Sequence, residues 1–103
     1  MPLSNYDKRQ LGRMLTALNQ YDEGVVPIDA LISSLDGLIS ALETEDSGFK
    51  AHLHKHWGAL EIAYGSALDK GRIPFEGPDR KSIEPALDEL RRVASTHGIS
   101  EEE

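Results

Sequence analysis

Apolar residues recur at steps of three and four in four segments of the chain, a spacing that places them on one face of an α-helix. The pattern predicts helices at about residues 5–22, 28–42, 47–70 and 82–96. No segment has the length and β-branched composition of a strand. We therefore predict an all-α fold: one domain over residues 1–103, a compact bundle of four helices that are mostly antiparallel because their connections are short.

The third segment holds the only Trp of the chain and has two unlike faces. Its small face carries Ala51, Gly58 and Gly65, with Ile62 beside them. A helix that is bulky on one side and small on the other can pack on both sides. We therefore expect the third helix to be central, with a close neighbour on its small face. The bulky face consists of Phe49, Leu53, Trp57, Leu60, Tyr64, Ala67 and Leu68.

Capping residues mark the predicted helix ends. Ser4 precedes the first helix, and Asp46 or Ser47 caps the third. Pro85 lacks an N–H group and therefore belongs in the first turn of the last helix. This placement makes residues 79–81 a lead-in turn.

The net charge of −7 indicates which class of partner the protein would bind. An acidic surface repels phosphate backbones, so we expect no nucleic-acid binding, and it speeds encounter with a basic protein. The chain has no cysteine, and we expect no secretion signal, no membrane span and a cytoplasmic location.

One predicted surface carries acid residues with no basic residue among them, and we call it the acidic stripe. It follows the outer face of the second helix and continues into the next connection. An ordinary solvated helix face would have the same pattern, and the alternative is a docking surface for a cationic protein. The acidic stripe consists of Asp29, Ser33, Asp36, Ser40, Glu43, Glu45 and Asp46.

Three histidines, His52, His54 and His56, alternate in the third segment. His52 and His56 are one helical turn apart and could chelate zinc as a pair, but His54 points elsewhere. No acid occupies the next turn along that face on either side, and His97 would have to be brought in by the fold. We therefore expect no metal site and no cofactor.

Nothing in the chain has the residue pattern of a catalytic site. The adjacent acid pairs, Asp22 with Glu23 and Glu45 with Asp46, lie in predicted turns on an acidic surface, where capping and solvation explain them. There is no glycine-rich phosphate loop and no GxSxG serine. We therefore expect that the protein is not an enzyme.

The layout from Tyr21 to Val93 resembles that of small, acidic, all-helical immunity proteins of bacterial polymorphic or contact-dependent toxin systems. The resemblance is carried by LISSLDGLISALETEDSGF, HWGALEIAYGSALDKGR and IEPALDELRRV, centred on a W-G-x-L-E-x-x-Y arrangement at Trp57, Gly58, Leu60, Glu61 and Tyr64. It implies stoichiometric binding of a toxin in the cytoplasm of the producing cell and no enzymatic activity. It does not identify the toxin-binding residues.

The sequence therefore supports two hypotheses of function. The first is an immunity protein, the protective partner of a toxin–antitoxin pair. It would bind a cognate toxin domain, expected to be a basic nuclease, through the acidic stripe and neutralise it. The alternative is a small helical adaptor or regulatory protein that self-associates through Ile62 and the small face of the third helix. The first predicts a monomer or weak homodimer, and the second a stable oligomer.

Overall fold

A computed structural model describes residues 3–98, and five helices follow one another in this part of the chain. They are α1 (Asn5–Asp22), α2 (Ile28–Ser40), α3 (Ser47–Asp69), α4 (Pro78–Ser82) and α5 (Glu84–His97). No strand occurs within these residues, which confirms the predicted all-helical class. The lead-in turn predicted at residues 79–81 lies within α4, and Pro85 lies in the first turn of α5.

Hydrogen bonds at the helix starts follow the capping residues of the sequence. The Ser4 hydroxyl accepts a bond from the Asp7 backbone N–H (3.1 Å), and the Asp46 carboxylate accepts one from the Phe49 N–H (3.0 Å). The second helix ends at Ser40, although the apolar pattern extends it to Leu42. Leu42 lies in the connector after α2, and its side chain is nevertheless buried in the core.

The four longer helices contact one another in a ring. α1 packs against α2 and α5, and α3 packs against α2, α5 and the short α4, so α1 and α3 lie across the ring from each other. The apolar faces meet inside this ring, where their burial supplies the main stabilising free energy. The residues with no exposed surface include Leu11, Met14, Leu18, Leu31, Leu35, Ile39, Leu53, Leu60 and Leu90.

The small face of α3 is not covered by another helix. A Cβ atom added at Gly58 or Gly65 would have no other described part of the chain within 4 Å, and Ile62 is 74% exposed. The expectation of a close neighbour on this face is therefore wrong. Its small residues are compatible with close packing, but the three helices that contact α3 leave this side open.

Two polar contacts fix the elements that carry the acidic stripe. The carboxylate of Asp7, only 1% exposed, accepts a hydrogen bond from the backbone N–H of Glu43 (2.8 Å) and so ties the α2–α3 connector to α1. The indole N–H of Trp57 donates to the carbonyl oxygen of Ile32 (2.9 Å) and joins α3 to α2. Both contacts hold α2 and its connector in place from neighbouring helices.

A helix that crosses a bilayer needs about 20 mostly apolar residues. None of the helices within residues 3–98 meets the requirements of length and apolarity together.

Candidate functional site

The acidic stripe lies on the surface along its whole length. All seven of its residues are exposed, four from α2 and three from the connector that leads into α3. On α2 the stripe residues are spaced by four, three and four, so they share one side of the helix. The core face of the same helix carries Leu31, Leu35 and Ile39.

The five carboxylates of the stripe have no salt bridge within residues 3–98. Some acids elsewhere are paired, such as Asp79 with Arg72 and Glu89 with Arg92. Other exposed acids outside the stripe, such as Glu23 and Glu61, also have no salt bridge within these residues. Within the described part of the chain, the Asp46 carboxylate is the only one of the five that accepts a hydrogen bond, at the start of α3. The stripe is therefore a surface of uncompensated negative charge.

A groove of about 440 Å³ between α1 and α2 borders the stripe. Ser33 of the stripe lines its α2 wall, and Arg13 lines the α1 wall. A protein that covered this groove would therefore also meet the side chain of Arg13. The other lining residues are Thr16, Ala17, Gln20, Ser34, Gly37 and Leu38.

A second cavity, of about 300 Å³, lies at the N-terminal end of the stripe, where Asp29 is among its lining residues. Tyr21, Tyr64 and Phe75 supply aromatic walls, and the Arg80 guanidinium carbon lies 5.0 Å from the centre of the Tyr21 ring. Burial raises the pKa of the Tyr21 hydroxyl, and nearby Arg80 opposes this shift. The stripe therefore begins beside an aromatic pocket.

The fold brings a third group to the two histidines that face one way on α3. Potential ligand atoms of His52, His56 and Glu89 all lie within 4.8 Å of one another, and His52 Nε2 is 2.6 Å from Glu89 Oε2. Glu89 comes from α5, which packs against α3. The expectation that no third ligand is present is therefore wrong: the third ligand comes from another helix, and residue spacing along α3 does not indicate it.

The other two histidines lie outside this cluster. The ring of His54 lies beside Trp57, with ring centres 5.7 Å apart, and the ring of His97 meets Phe49 edge-on at 5.8 Å. As predicted, His54 diverges from His52 and His56. No signal in the local sequence identifies Glu89 as the residue that joins them.

Arg92 determines the charge state of the cluster's carboxylate. Its Nε donates to Glu89 Oε1 (2.7 Å) and its Nη2 to Oε2 (2.6 Å). These bonds, with a smaller contribution from His52, lower the pKa of Glu89 to about 2. Partial burial and then the neighbouring His52 lower the pKa of His56. The cluster at neutral pH therefore contains a carboxylate and a neutral His56 imidazole.

Comparison with known proteins gives no relative from which a function could be transferred. The chain matches no protein-family model, and neither a curated protein nor a solved structure is significantly similar to it.

Proposed function

We propose that this chain is an immunity protein that binds one copy of a cognate bacterial toxin domain and neutralises it. The toxin domain is a basic nuclease, and the acidic stripe is the docking surface. One observation carries the proposal: the five carboxylates of the stripe are exposed and have no salt bridge within the described residues. The net charge of the whole chain, −7, is also negative and would attract a basic partner as well.

Uncompensated carboxylates favour a basic partner in two ways. They attract it over a distance and so raise the association rate. They also pair with its Lys and Arg side chains without first breaking an intramolecular salt bridge. A nuclease has a basic groove that holds phosphates, and a row of carboxylates along α2 can occupy the same groove. Inhibition then needs no catalysis and works in the cytoplasm of the producing cell.

The aromatic cavity beside Asp29 supports the proposal, because tight complexes depend on a few buried aromatic or Arg anchors as well as on charge. Tyr64 lines this cavity and also ends the W-G-x-L-E-x-x-Y arrangement that resembles immunity proteins. A basic or aromatic side chain of the partner could insert between Tyr64 and Tyr21.

The test uses co-expression with the product of the adjacent upstream reading frame, followed by calorimetry of the purified pair. We expect a one-to-one complex whose affinity falls with salt. Asp36→Lys should weaken binding about tenfold or more, equivalent to about 1.4 kcal/mol, and should change the salt dependence. Glu61→Lys is the matched control: it changes the net charge equally at an exposed position of α3.

Two results would contradict the proposal. If no complex forms, the chain is not the immunity partner of that product. If Asp36→Lys and Glu61→Lys weaken a complex equally, total charge matters and the acidic stripe is not the docking surface.

The alternative function is a small helical adaptor that self-associates through α3. The exposure of Ile62 (74%) and the open space at Gly58 and Gly65 favour it. Sedimentation velocity over a range of concentrations separates the alternatives. A strictly monomeric protein would remove the adaptor hypothesis, and a dimer that Ile62→Ser dissociates would favour it.

Either function requires a rigid display of its surface, and we propose that the four longer helices form one mostly antiparallel bundle. Their ring of contacts and the short connectors at residues 23–27 and 41–46 support this arrangement. We propose that α3 is the central helix of this bundle. Its contacts with α2, α4 and α5 support a central position, although α5 also contacts three helices, α1, α3 and α4.

A further inference from the structure

We propose that His52, His56 and Glu89 form a binding site for a divalent transition-metal ion, Zn²⁺. Two imidazoles and one carboxylate are a donor set that zinc accepts in proteins. The site lies between α3 and α5 and uses no residue of the acidic stripe. It is therefore separate from the proposed docking surface.

The geometry supports the site because each of the three ligands lies in a helix. His52 and His56 are one turn apart on α3, a spacing that lets two histidines of one helix bind the same zinc ion. Their ring centres are 4.8 Å apart. Glu89 approaches from α5, and a hydrogen bond of 2.6 Å joins its carboxylate to the His52 ring. This bond brings the two ligands together, and it must open and lose its proton when both atoms bind the ion.

Only a small adjustment is needed to bind the ion. Donor atoms around a tetrahedral zinc ion are roughly 3.4 Å apart, whereas the three donor atoms here lie within 4.8 Å of one another. The side chains of His52 and Glu89 are 41% and 23% exposed, so they can rotate without disturbing the core.

Arg92 is the main competitor for the carboxylate. It donates to both oxygens of Glu89, so one of these hydrogen bonds must be released when Oε2 binds the ion. The remaining bond to Oε1 would then orient the carboxylate from outside the coordination sphere. Lys55 contributes a second positive charge beside His56, which also opposes cation binding.

Three protein ligands leave one tetrahedral position for water or for a donor from another molecule. Imidazole nitrogens select borderline transition metals over the hard cations Mg²⁺ and Ca²⁺, which prefer oxygen ligands. We therefore expect binding of Zn²⁺ and of the spectroscopic probe Co²⁺, and no binding of Mg²⁺ at the same concentration.

The test is calorimetric titration of the full, tag-free chain with ZnCl₂ after treatment with a chelator and dialysis. We expect one equivalent of zinc per chain. His52→Ala, His56→Ala and Glu89→Gln should each weaken binding about tenfold or more, since even outer-shell changes cost about 10- to 100-fold. His54→Ala is the matched control on the same helix and should leave binding unchanged.

The variants also separate the three-ligand site from simpler explanations. Circular dichroism verifies that each variant is folded, and the visible absorption of bound Co²⁺ gives a second measure of coordination by the same residues. Absence of zinc binding would overturn the proposal. So would an equal loss in His54→Ala, which indicates nonspecific histidine binding, or no loss in Glu89→Gln, which indicates a two-histidine surface contact.

Discussion

Replacing Asp7 tests the contact that fixes the stripe-bearing connector. Asp7→Ala removes a buried carboxylate that accepts a hydrogen bond from the Glu43 backbone N–H at 2.8 Å. A hydrogen bond to a charged group contributes about 1.5–3 kcal/mol. The same substitution removes an acidic side chain from the first turn of α1, where it adds about 0.3–1 kcal/mol. We expect a loss of about 2–3 kcal/mol, or roughly 10 °C in Tm or more.

Asp7→Asn separates the two contributions. It loses the charge but keeps an oxygen that can accept the bond from Glu43, so we expect it to lose only about 1 kcal/mol. Urea unfolding followed by the fluorescence of Trp57, the only tryptophan, gives both values. Amide hydrogen exchange at Glu43 should be accelerated in Asp7→Ala more than in Asp7→Asn.

Equal stability losses for the two variants would refute the reasoning. They would mean that the charge near the start of α1 matters and that the acceptor oxygen does not. Unchanged exchange at Glu43 in Asp7→Ala would lead to the same conclusion, because the N–H would then be protected by something other than the carboxylate.

Three further predictions concern other parts of the fold. Trp57→Phe removes the donor to the Ile32 carbonyl and should cost about 1–2 kcal/mol, measured by circular dichroism because the fluorophore is lost. Gly37→Ala should stabilise the protein by about 0.5–1 kcal/mol in urea unfolding, since Gly37 is exposed within α2 and no atom blocks a Cβ. Asp79→Asn tests pH dependence: hydrogen bonds from Arg72 hold the pKa of Asp79 below its usual value. The wild type should therefore have the higher Tm at neutral pH, and the difference should vanish as the pH falls below about 4 and through the lowered pKa.

The four longer helices could be predicted from the sequence because each has an apolar face of its own. The short α4 has no buried residue, and the sequence predicts only a turn there. The bounds of α1 coincide with the predicted ones, since Ser4 caps its start and its apolar residues repeat to Tyr21. The apolar period predicts an end of α2 at Leu42, two residues beyond its end at Ser40, because Leu42 is buried although it lies in the connector. Periodicity identifies buried positions, and a connector residue at the right spacing is buried as well.

The role of the small face of α3 could not be predicted. Gly58 and Gly65 allow a close neighbour, but whether one is present depends on how the helices are arranged around α3. In the structure both glycines face open space. A face of small residues can therefore be covered by a close neighbour or left open, and the packing of the other helices determines which occurs.

The pairs that matter most for the two candidate sites are distant in sequence. His52 is 37 residues from Glu89, and Asp7 is 36 residues from Glu43. The first contact depends on how α3 and α5 pack together, and the second on how the α2–α3 connector lies against α1. Local spacing in the sequence determines neither arrangement. The sequence identified His52 and His56 as a pair of potential ligands, and the packing of α5 on α3 supplied the third.

The acidic stripe and the cluster of His52, His56 and Glu89 lie on different elements, and this makes the two proposals independently testable. Glu89→Gln removes a ligand between α3 and α5 but leaves α2 and its connector unchanged, so toxin binding should persist. Asp36→Lys alters α2 alone, so zinc binding should persist. If zinc strengthened toxin binding in the wild type but not in Glu89→Gln, the partner would have to contact the α3–α5 side as well. In that case the fourth zinc position is the natural place for a donor from the partner, and the docking surface would extend beyond the stripe.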